Sequence, residues 1–448
     1  LTQVITRDIR KLRSEFHKVR NTTSFIFEPI SVEDAVMQSD PFGSTPNWHI
    51  AHVTWFFQKI LEKYEHDIEG NSINTDYLNS YYQRYSKILP KTDRGKFPRP
   101  KVSETLKYRS LIEEMFLKFL DNIEKNNSLT RNLAYDIELA NQHEMQHQEL
   151  LVYDLQHYFQ RFDDPHDNYE PKITKSTNSM TDNPHIDQGM VKVTGGLYEL
   201  GFSGDGFCYD NEIPEHKAYL NPYEIDKYPI TNKEFINFIH AGGYQDYKFW
   251  LSDGWDLVRE NEWKAPLYWQ KIDGEWYKKD FRGLNKVFPN EPVTNVSYYE
   301  ADAYSKWTGK RLPTEAEWEK AASWDDDLKR KTTYPWGDDL PSDLAANLLE
   351  SLRWAPSPIG SYPQGKSHYG CHQMIGDIWE WTSSEYVLYP GFRSKFLEYT
   401  DKWAINQKVL RGGSFATPRT QIRNSYRNYF KPHERIPFSG FRCARDLL

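Results

Sequence analysis

Cysteine is scarce: only Cys208, Cys371 and Cys443 occur in 448 residues, odd in number and unrelated in spacing. That argues against a disulfide framework and against a thiolate zinc site. Long apolar runs are also missing. Mean hydropathy is −0.80, and no stretch approaches the ~20 consecutive apolar residues of a membrane span, so no membrane partner is expected. Nor is there a basic excess. With 56 Lys+Arg against 64 Asp+Glu the net charge is −8, which lacks the broad positive surface that holds nucleic acid or anionic lipid. The opening stretch, LTQVITRDIRKLRSEFHKVR, has no continuous apolar segment of the secretory kind. A reducing cytoplasm is the expected compartment.

What the chain has in excess is aromatic rings: 15 Trp, 30 Tyr and 24 Phe. Rings supply large buried areas, and Tyr and Trp add a polar handle. Ring-built cores are the first expectation; the second is that a few tyrosines carry chemistry or line a pocket.

At roughly 100–200 residues per domain, the length predicts two or three units. Segments near 1–20, 46–65, 103–125 and 131–162 place apolar residues three and four apart with few breakers, as at Leu133, Ile137, Ala140, Leu151 and Leu155. Four such segments predict an all-α four-helix bundle over 1–165. Residues 166–188 are rich in Pro, Asn, Asp, Ser and Thr and read as a linker. From 189 to 448 short strand-like runs (MVKVTGGLYELG, HKAYLNPYEID, KVLRGGSF) alternate with Gly and Pro. Three capping boxes start short helices there: Thr231 with Glu234, Ser297 with Glu300, and Thr314 with Glu317. This half is expected to be a loop-rich α+β domain.

His143 and His147 lie four apart in NQHEMQHQELLVYD. On a helix they share one face and can ligate one ion. A third imidazole is available from His52 in PNWHIAHVTWFFQ, on another predicted helix beside Trp48, Trp55 and Phe56. Imidazole is costly on an apolar face unless its nitrogens are satisfied. His49 is the weaker candidate, expected behind the ligands or at the surface. Three neutral imidazoles suit zinc, iron, nickel or copper and leave positions open, the mark of a catalytic site.

WHIAHVTWFFQ together with HEMQHQELLVYDLQH resembles the DinB-type bundle of the ergothioneine-biosynthetic sulfoxide synthases, which are non-haem iron enzymes. The second half resembles the formylglycine-generating-enzyme domain, a variant of the C-type lectin fold, in YPITNKEF, PVTNVSYYEADAYSKWTGKRLPTEAEWEKAA, YPWGD, MIGDIWEWTSS, VLRGGSF and SGFRCARD. The fusion of the two is what characterises that family. The resemblance implies that His52, His143 and His147 hold Fe(II) and that hercynine, the betaine of histidine, binds by its imidazole near Gln146. Asn428 and Tyr429 match positions near the trimethylammonium group, where a π-face suits a cation without N–H.

For the thiol, the resemblance points to free cysteine. Members using γ-glutamylcysteine carry an Asp after the Asn–aromatic pair and an Arg four residues on; here Phe430 and Glu434 stand there, with Arg435 next. Arg94 and Arg99 in TDRGKFPRP match an arginine-bearing loop that pairs with the thiol substrate's carboxylate. LNSYYQRY resembles the variant with two adjacent tyrosines, Tyr81 and Tyr82, as proton donors, and Tyr386 in SSEYVLYPGF is their rival. O₂ is the implied oxidant. Synthases acting on histidine (ovothiol) or a selenosugar (selenoneine) share this scaffold, and a zinc or nickel DinB-type thiol transferase and formylglycine generation are the other readings. The large second domain counts against the transferase. The lack of a close cysteine pair counts against formylglycine chemistry.

Overall fold

The computed structural model describes residues 8–65, 73–80, 82, 88–96, 100–160 and 186–447. The chain divides into two compact units, Leu1–Pro171 with Gly204–Tyr209, and Lys172–Ser203 with Asp210–Leu448. Most of the predicted linker 166–188 lies outside the described residues.

The first unit is built on four long helices: α1 (Ile9–Phe27), α2 (Pro46–Tyr64), α3 (Val102–Asn126) and α4 (Arg131–Phe159). Three of the four starts have a side-chain cap. Asp8 accepts from Arg10 N–H before α1, Thr45 from Trp48 N–H before α2 with Pro46 following it, and Thr130 from Leu133 N–H before α4, the usual roles of such residues at helix N-termini. Helix α1 runs past the predicted residue 20 to Phe27. Its added turns carry the buried face on through Thr23, Ile26 and Phe27, and Thr22 and Thr23 donate their hydroxyls back to the carbonyls of Lys18 and Val19. Helix α3 stops at Asn127, whose φ of 47° takes the left-handed conformation Asn tolerates.

Helix α4 packs on α1 and α2, and α2 on α3. Phe16, Phe57 and Phe116 interlock the first three helices with ring centroids 4.8 to 5.1 Å apart. Removing any one of these buried rings costs about 3–5 kcal/mol. A polar lock fixes the rotation of α4: the buried carboxylate of Glu144 accepts from Arg20 of α1 and Arg109 of α3, each at 2.8 Å. One turn on, Gln148 donates to Val19 O and Thr23 Oγ1 of α1. With 144 and 148 held on this face, 143 and 147 are turned about 100° away from it. The segment Gly204–Tyr209 belongs with this unit, and its Phe207 stacks on Tyr135 of α4 at 5.6 Å.

The second unit is sparse in regular structure, as its Gly- and Pro-broken text predicts. A central strand, Trp379–Glu385, pairs antiparallel with Lys408–Arg411 and parallel with Ser439–Gly440, and Asn428–Phe430 extends the sheet. A second sheet joins Met190–Val193, Tyr223–Asp226 and Ala444–Asp446. All three predicted capping boxes form, at the starts of α5 (Asn232–His240), α7 (Tyr298–Trp307) and α8 (Glu315–Ser323); α6 is Ser252–Glu260. The core brings Tyr198, Tyr223, Ile225, Trp318 and Met374 together. Its buried charges are matched: Arg442 pairs with Glu380, which also accepts from Trp318 Nε1, and Arg411 pairs with Glu319. The molecule is thus an all-α bundle followed by a loop-rich α+β unit. No helix among the described residues is long and apolar enough to cross a membrane.

Candidate metal centre

Helices α2 and α4 bring His52, His143 and His147 together, with one ring nitrogen of each within 4.8 Å of the others. The ring centroids are 4.7 to 5.0 Å apart. His52 and His143 are buried and His147 is half-buried. Burial dominates their electrostatics. It pushes His143 down to about 3 and, with the neighbouring imidazoles adding to it, lowers His52 and His147 well below the ordinary histidine range. All three are therefore neutral near pH 7, the protonation state a ligand requires. The donor set fits a first-row divalent metal such as Fe(II).

The surroundings orient two of the three rings. His52 Nδ1 lies 2.5 Å from the carbonyl oxygen of Leu78, so Nδ1 carries the proton and Nε2 is left as the ligand atom. Trp48 stacks on the same ring. Behind His147 stands His49: the two Nδ1 atoms are 2.9 Å apart, and His49 Nε2 lies 2.9 Å from Asp154 Oδ2. Burial lowers the proton affinity of His49, opposed by Asp154. His49 thus lies behind His147 and is itself buried. Asp154 was not singled out by the sequence reading. It follows His147 by seven residues, two helical turns along the same face, which spacing can show, but its pairing with His49 on another helix is not visible in spacing.

Arg94 is buried beside this cluster. Its guanidinium lies 3.5 Å from the centre of the Trp48 ring, and it donates to Ser44 Oγ at 2.6 Å. Tyr82 is fully buried against Trp55 and Phe56, with centroids 6.1 and 6.2 Å away, and Phe56 in turn lies 4.2 Å from His143. Asn79 fixes the backbone of Tyr82, accepting from its N–H and donating to its carbonyl. Gln146 is half-buried on α4 between the two helical histidines. Tyr81 and Arg99 lie outside the described residues.

The remaining predicted residues belong to the second unit. Tyr386 is buried and stacks on Tyr429 at 3.9 Å; its hydroxyl accepts from Asn211 and donates to Thr400 O. Asn428, Tyr429 and Phe430 form a short partly buried strand. Arg435 is engaged within its own unit: it pairs with Glu300 at 3.0 Å, donates to Ala265 O and lies over the Trp263 ring. All three cysteines are buried and none forms a disulfide. Burial raises Cys371 to about 11 and Cys443 well above the ordinary thiol range, so neither is a reactive thiolate.

Comparison with known proteins covers both units. Residues 15–151 match the DinB superfamily and residues 175–447 the sulfatase-modifying factor enzyme 1-like domain. A hercynine oxygenase of Mycolicibacterium thermoresistibile is 31% identical over 429 residues, 93% of this chain and 91% of that protein. A hercynine oxygenase of Mycolicibacterium smegmatis is 39% identical over 272 residues, 59% of this chain and 63% of that protein. A formylglycine-generating enzyme of Streptomyces coelicolor is 30% identical over 292 residues, 59% of this chain and 91% of that protein. The match to the first of these spans nearly the whole of both chains and takes in the histidine-bearing bundle. The chain belongs to the hercynine oxygenase family, the ergothioneine-pathway sulfoxide-synthase-like proteins that join a DinB-type bundle to a sulfatase-modifying-factor domain.

Proposed function

We propose that this protein is an O₂-dependent, non-haem iron(II) sulfoxide synthase that joins imidazole C2 of hercynine to the sulfur of a thiol, cysteine by preference, and oxidises that sulfur to the sulfoxide. The reaction balances as hercynine, thiol and O₂ giving sulfoxide and water. The C2 and thiol hydrogens leave with one oxygen atom as water, the other oxygen stays on sulfur, and O₂ accepts four electrons in all.

The observation that carries the reading is the buried cluster of three neutral imidazoles on two helices of a chain that belongs to this family. Fe(II), when bound, supplies open positions at which the reactants are brought together and O₂ is reduced. The chain's own residues do the rest. His52, His143 and His147 hold the metal. Gln146, between two of them, is assigned to the hercynine imidazole. Arg94 is assigned to the carboxylate of the thiol substrate, since a buried guanidinium is the side chain best suited to bind one. Tyr82 is assigned as the proton donor that steers oxidation toward coupling; a phenol stays neutral at pH 7 and still donates. The aromatic wall of Trp48, Trp55 and Phe56 keeps bulk water from the metal-binding face.

Cysteine is preferred to γ-glutamylcysteine because Phe430 and Glu434 stand where members using the larger thiol carry Asp and Arg. The test is anaerobic reconstitution with Fe(II), then O₂ and an equimolar mixture of cysteine and γ-glutamylcysteine with hercynine, with products identified by mass spectrometry. The cysteine conjugate sulfoxide should dominate. Dominance of the γ-glutamyl conjugate, or products with histidine or a selenosugar but not with hercynine and cysteine, would reject the assignment.

A further inference from the structure

The hydrogen-bond chain behind His147 has a direction that can be worked out atom by atom. Asp154 Oδ2 accepts from the backbone N–H of Ser44 at 2.9 Å and lies 2.9 Å from His49 Nε2. An ionised carboxylate only accepts, so Nε2 of His49 carries the proton. A neutral imidazole with its proton on Nε2 has a lone pair on Nδ1. That Nδ1 faces the Nδ1 of His147 at 2.9 Å, and two facing nitrogens at that distance need one proton between them. His49 has none to offer there, so it sits on His147 Nδ1. The remaining nitrogen of His147, Nε2, is then the one with a free lone pair.

The loop ahead of α2 is shaped to hold the carboxylate that starts this chain. A Cβ at Gly43 would lie 2.5 Å from Asp154 Oδ1 and 3.1 Å from its Cγ. A side chain at this position would have to push the carboxylate aside and so disturb its bond from the Ser44 N–H. The Ser44 N–H and His49 Nε2 meet at the same oxygen, Oδ2, so the loop ahead of α2 and the first turn of α2 both bear on one atom of the α4 carboxylate.

We infer that His49 and Asp154 are positioning residues of the metal centre: the chain Asp154–His49–His147 holds His147 in its Nδ1–H tautomer and fixes its ring so that Nε2 is presented as the ligand atom. Outer partners of this kind raise metal affinity by orienting a ligand in advance and making it more basic. His52 reaches the same end in one step through the Leu78 carbonyl, so the two ring orientations are set independently. The inference rests on reading His52, His143 and His147 as a metal centre and not on the identity of the substrates.

The experiment is Co(II) titration of the metal-free 448-residue chain against a competing chelator, with the visible ligand-field spectrum recorded and no substrate or O₂ present. His49→Phe keeps a ring of similar size but removes the acceptor; it should weaken Co(II) binding by about 10- to 100-fold and shift the ligand-field bands. His49→Gln offers an amide oxygen to His147 Nδ1–H and should recover most of the loss. Parental affinity and spectrum in His49→Phe would overturn the inference, and so would equal losses in Phe and Gln, which would mark His49 as mere packing. If circular dichroism shows that His49→Phe is unfolded, Gly43→Ala decides with the same readout. It presses on Asp154 and leaves every imidazole in place, so weakened binding is expected and parental binding overturns the inference. Failure of the parent protein to bind Co(II) would overturn the metal-centre reading and this inference together. Failure of the proposed reaction shows separately, as absent O₂ uptake by protein that does bind metal.

Discussion

Trp48 and His52 lie face to face, their ring planes 10° apart and their centroids 4.4 Å apart. They are one turn apart on α2, so the stacking is local, but Trp48 is itself pinned from outside the helix. Its Nε1 donates to Tyr77 O at 2.9 Å, and the Arg94 guanidinium lies over its ring. The plane of the His52 ring is therefore set by a plate that Tyr77 and Arg94, beyond the end of α2, hold in place. Trp48→Ala should cost about 3–5 kcal/mol of stability and weaken metal binding as His52 gains freedom. Denaturant melts of the metal-free protein, paired with Co(II) titration, would measure both.

Glu144 gives a prediction with a pH sign. Desolvation pushes its proton affinity up, but Arg109 and Arg20 outweigh it and hold the carboxyl down at about 2, against an ordinary value of 4.5. A carboxyl depressed on folding stabilises fully above its unfolded value. That contribution should fade as the pH falls from about 4.5 toward 2. Glu144→Gln leaves two guanidinium groups buried without their counter-charge and should cost about 3–5 kcal/mol. Its melts should lose this part of the acid dependence relative to the parent protein.

Tyr82 and its rival Tyr386 should separate cleanly. Tyr82→Phe should divert product from the sulfoxide toward cysteine sulfinate, measured by mass spectrometry of turnover mixtures. Tyr386→Phe removes a hydroxyl that bonds Asn211 and Thr400 O and should cost about 1–2 kcal/mol in a thermal melt while leaving the product ratio unchanged. A sulfoxide ratio unaltered by Tyr82→Phe and by the Tyr81/Tyr82 double variant would reject the assignment of this pair.

Arg94→Met should raise KM for cysteine on the order of 10- to 100-fold, as expected when a charge-assisted bond of about 1.5–3 kcal/mol is lost. The KM for hercynine should change much less. Steady-state kinetics with each substrate varied in turn would decide it.

The helical pair His143 and His147 was legible because its signal is local, and His52 joined it as a candidate through its own surroundings and the family resemblance. His143 and His147 repeat at one helical turn, and His52 sits in a run of rings where an unpaired imidazole is costly. The capping boxes at Thr231, Ser297 and Thr314 were legible for the same reason, since both partners lie within four residues. What sequence reading could not supply were contacts across elements. Asp154 reaches His49 over 105 positions, and Glu144 reaches Arg20 over 124; no spacing rule reports such a pair. The end of α1 lies seven residues beyond the predicted one, because burial of Ile26 and Phe27 against the bundle, a tertiary effect, carries the helix through its two β-branched threonines.

The measurement that tests the account most directly is O₂ consumption by the Fe(II)-loaded protein given hercynine and cysteine together, with the product identified by mass spectrometry. The proposed reaction predicts one O₂ consumed for each hercynine–cysteine sulfoxide formed, and no consumption coupled to product when His52, His143 or His147 is replaced. No O₂ consumption with hercynine and any thiol, by protein shown to hold the metal, would contradict it.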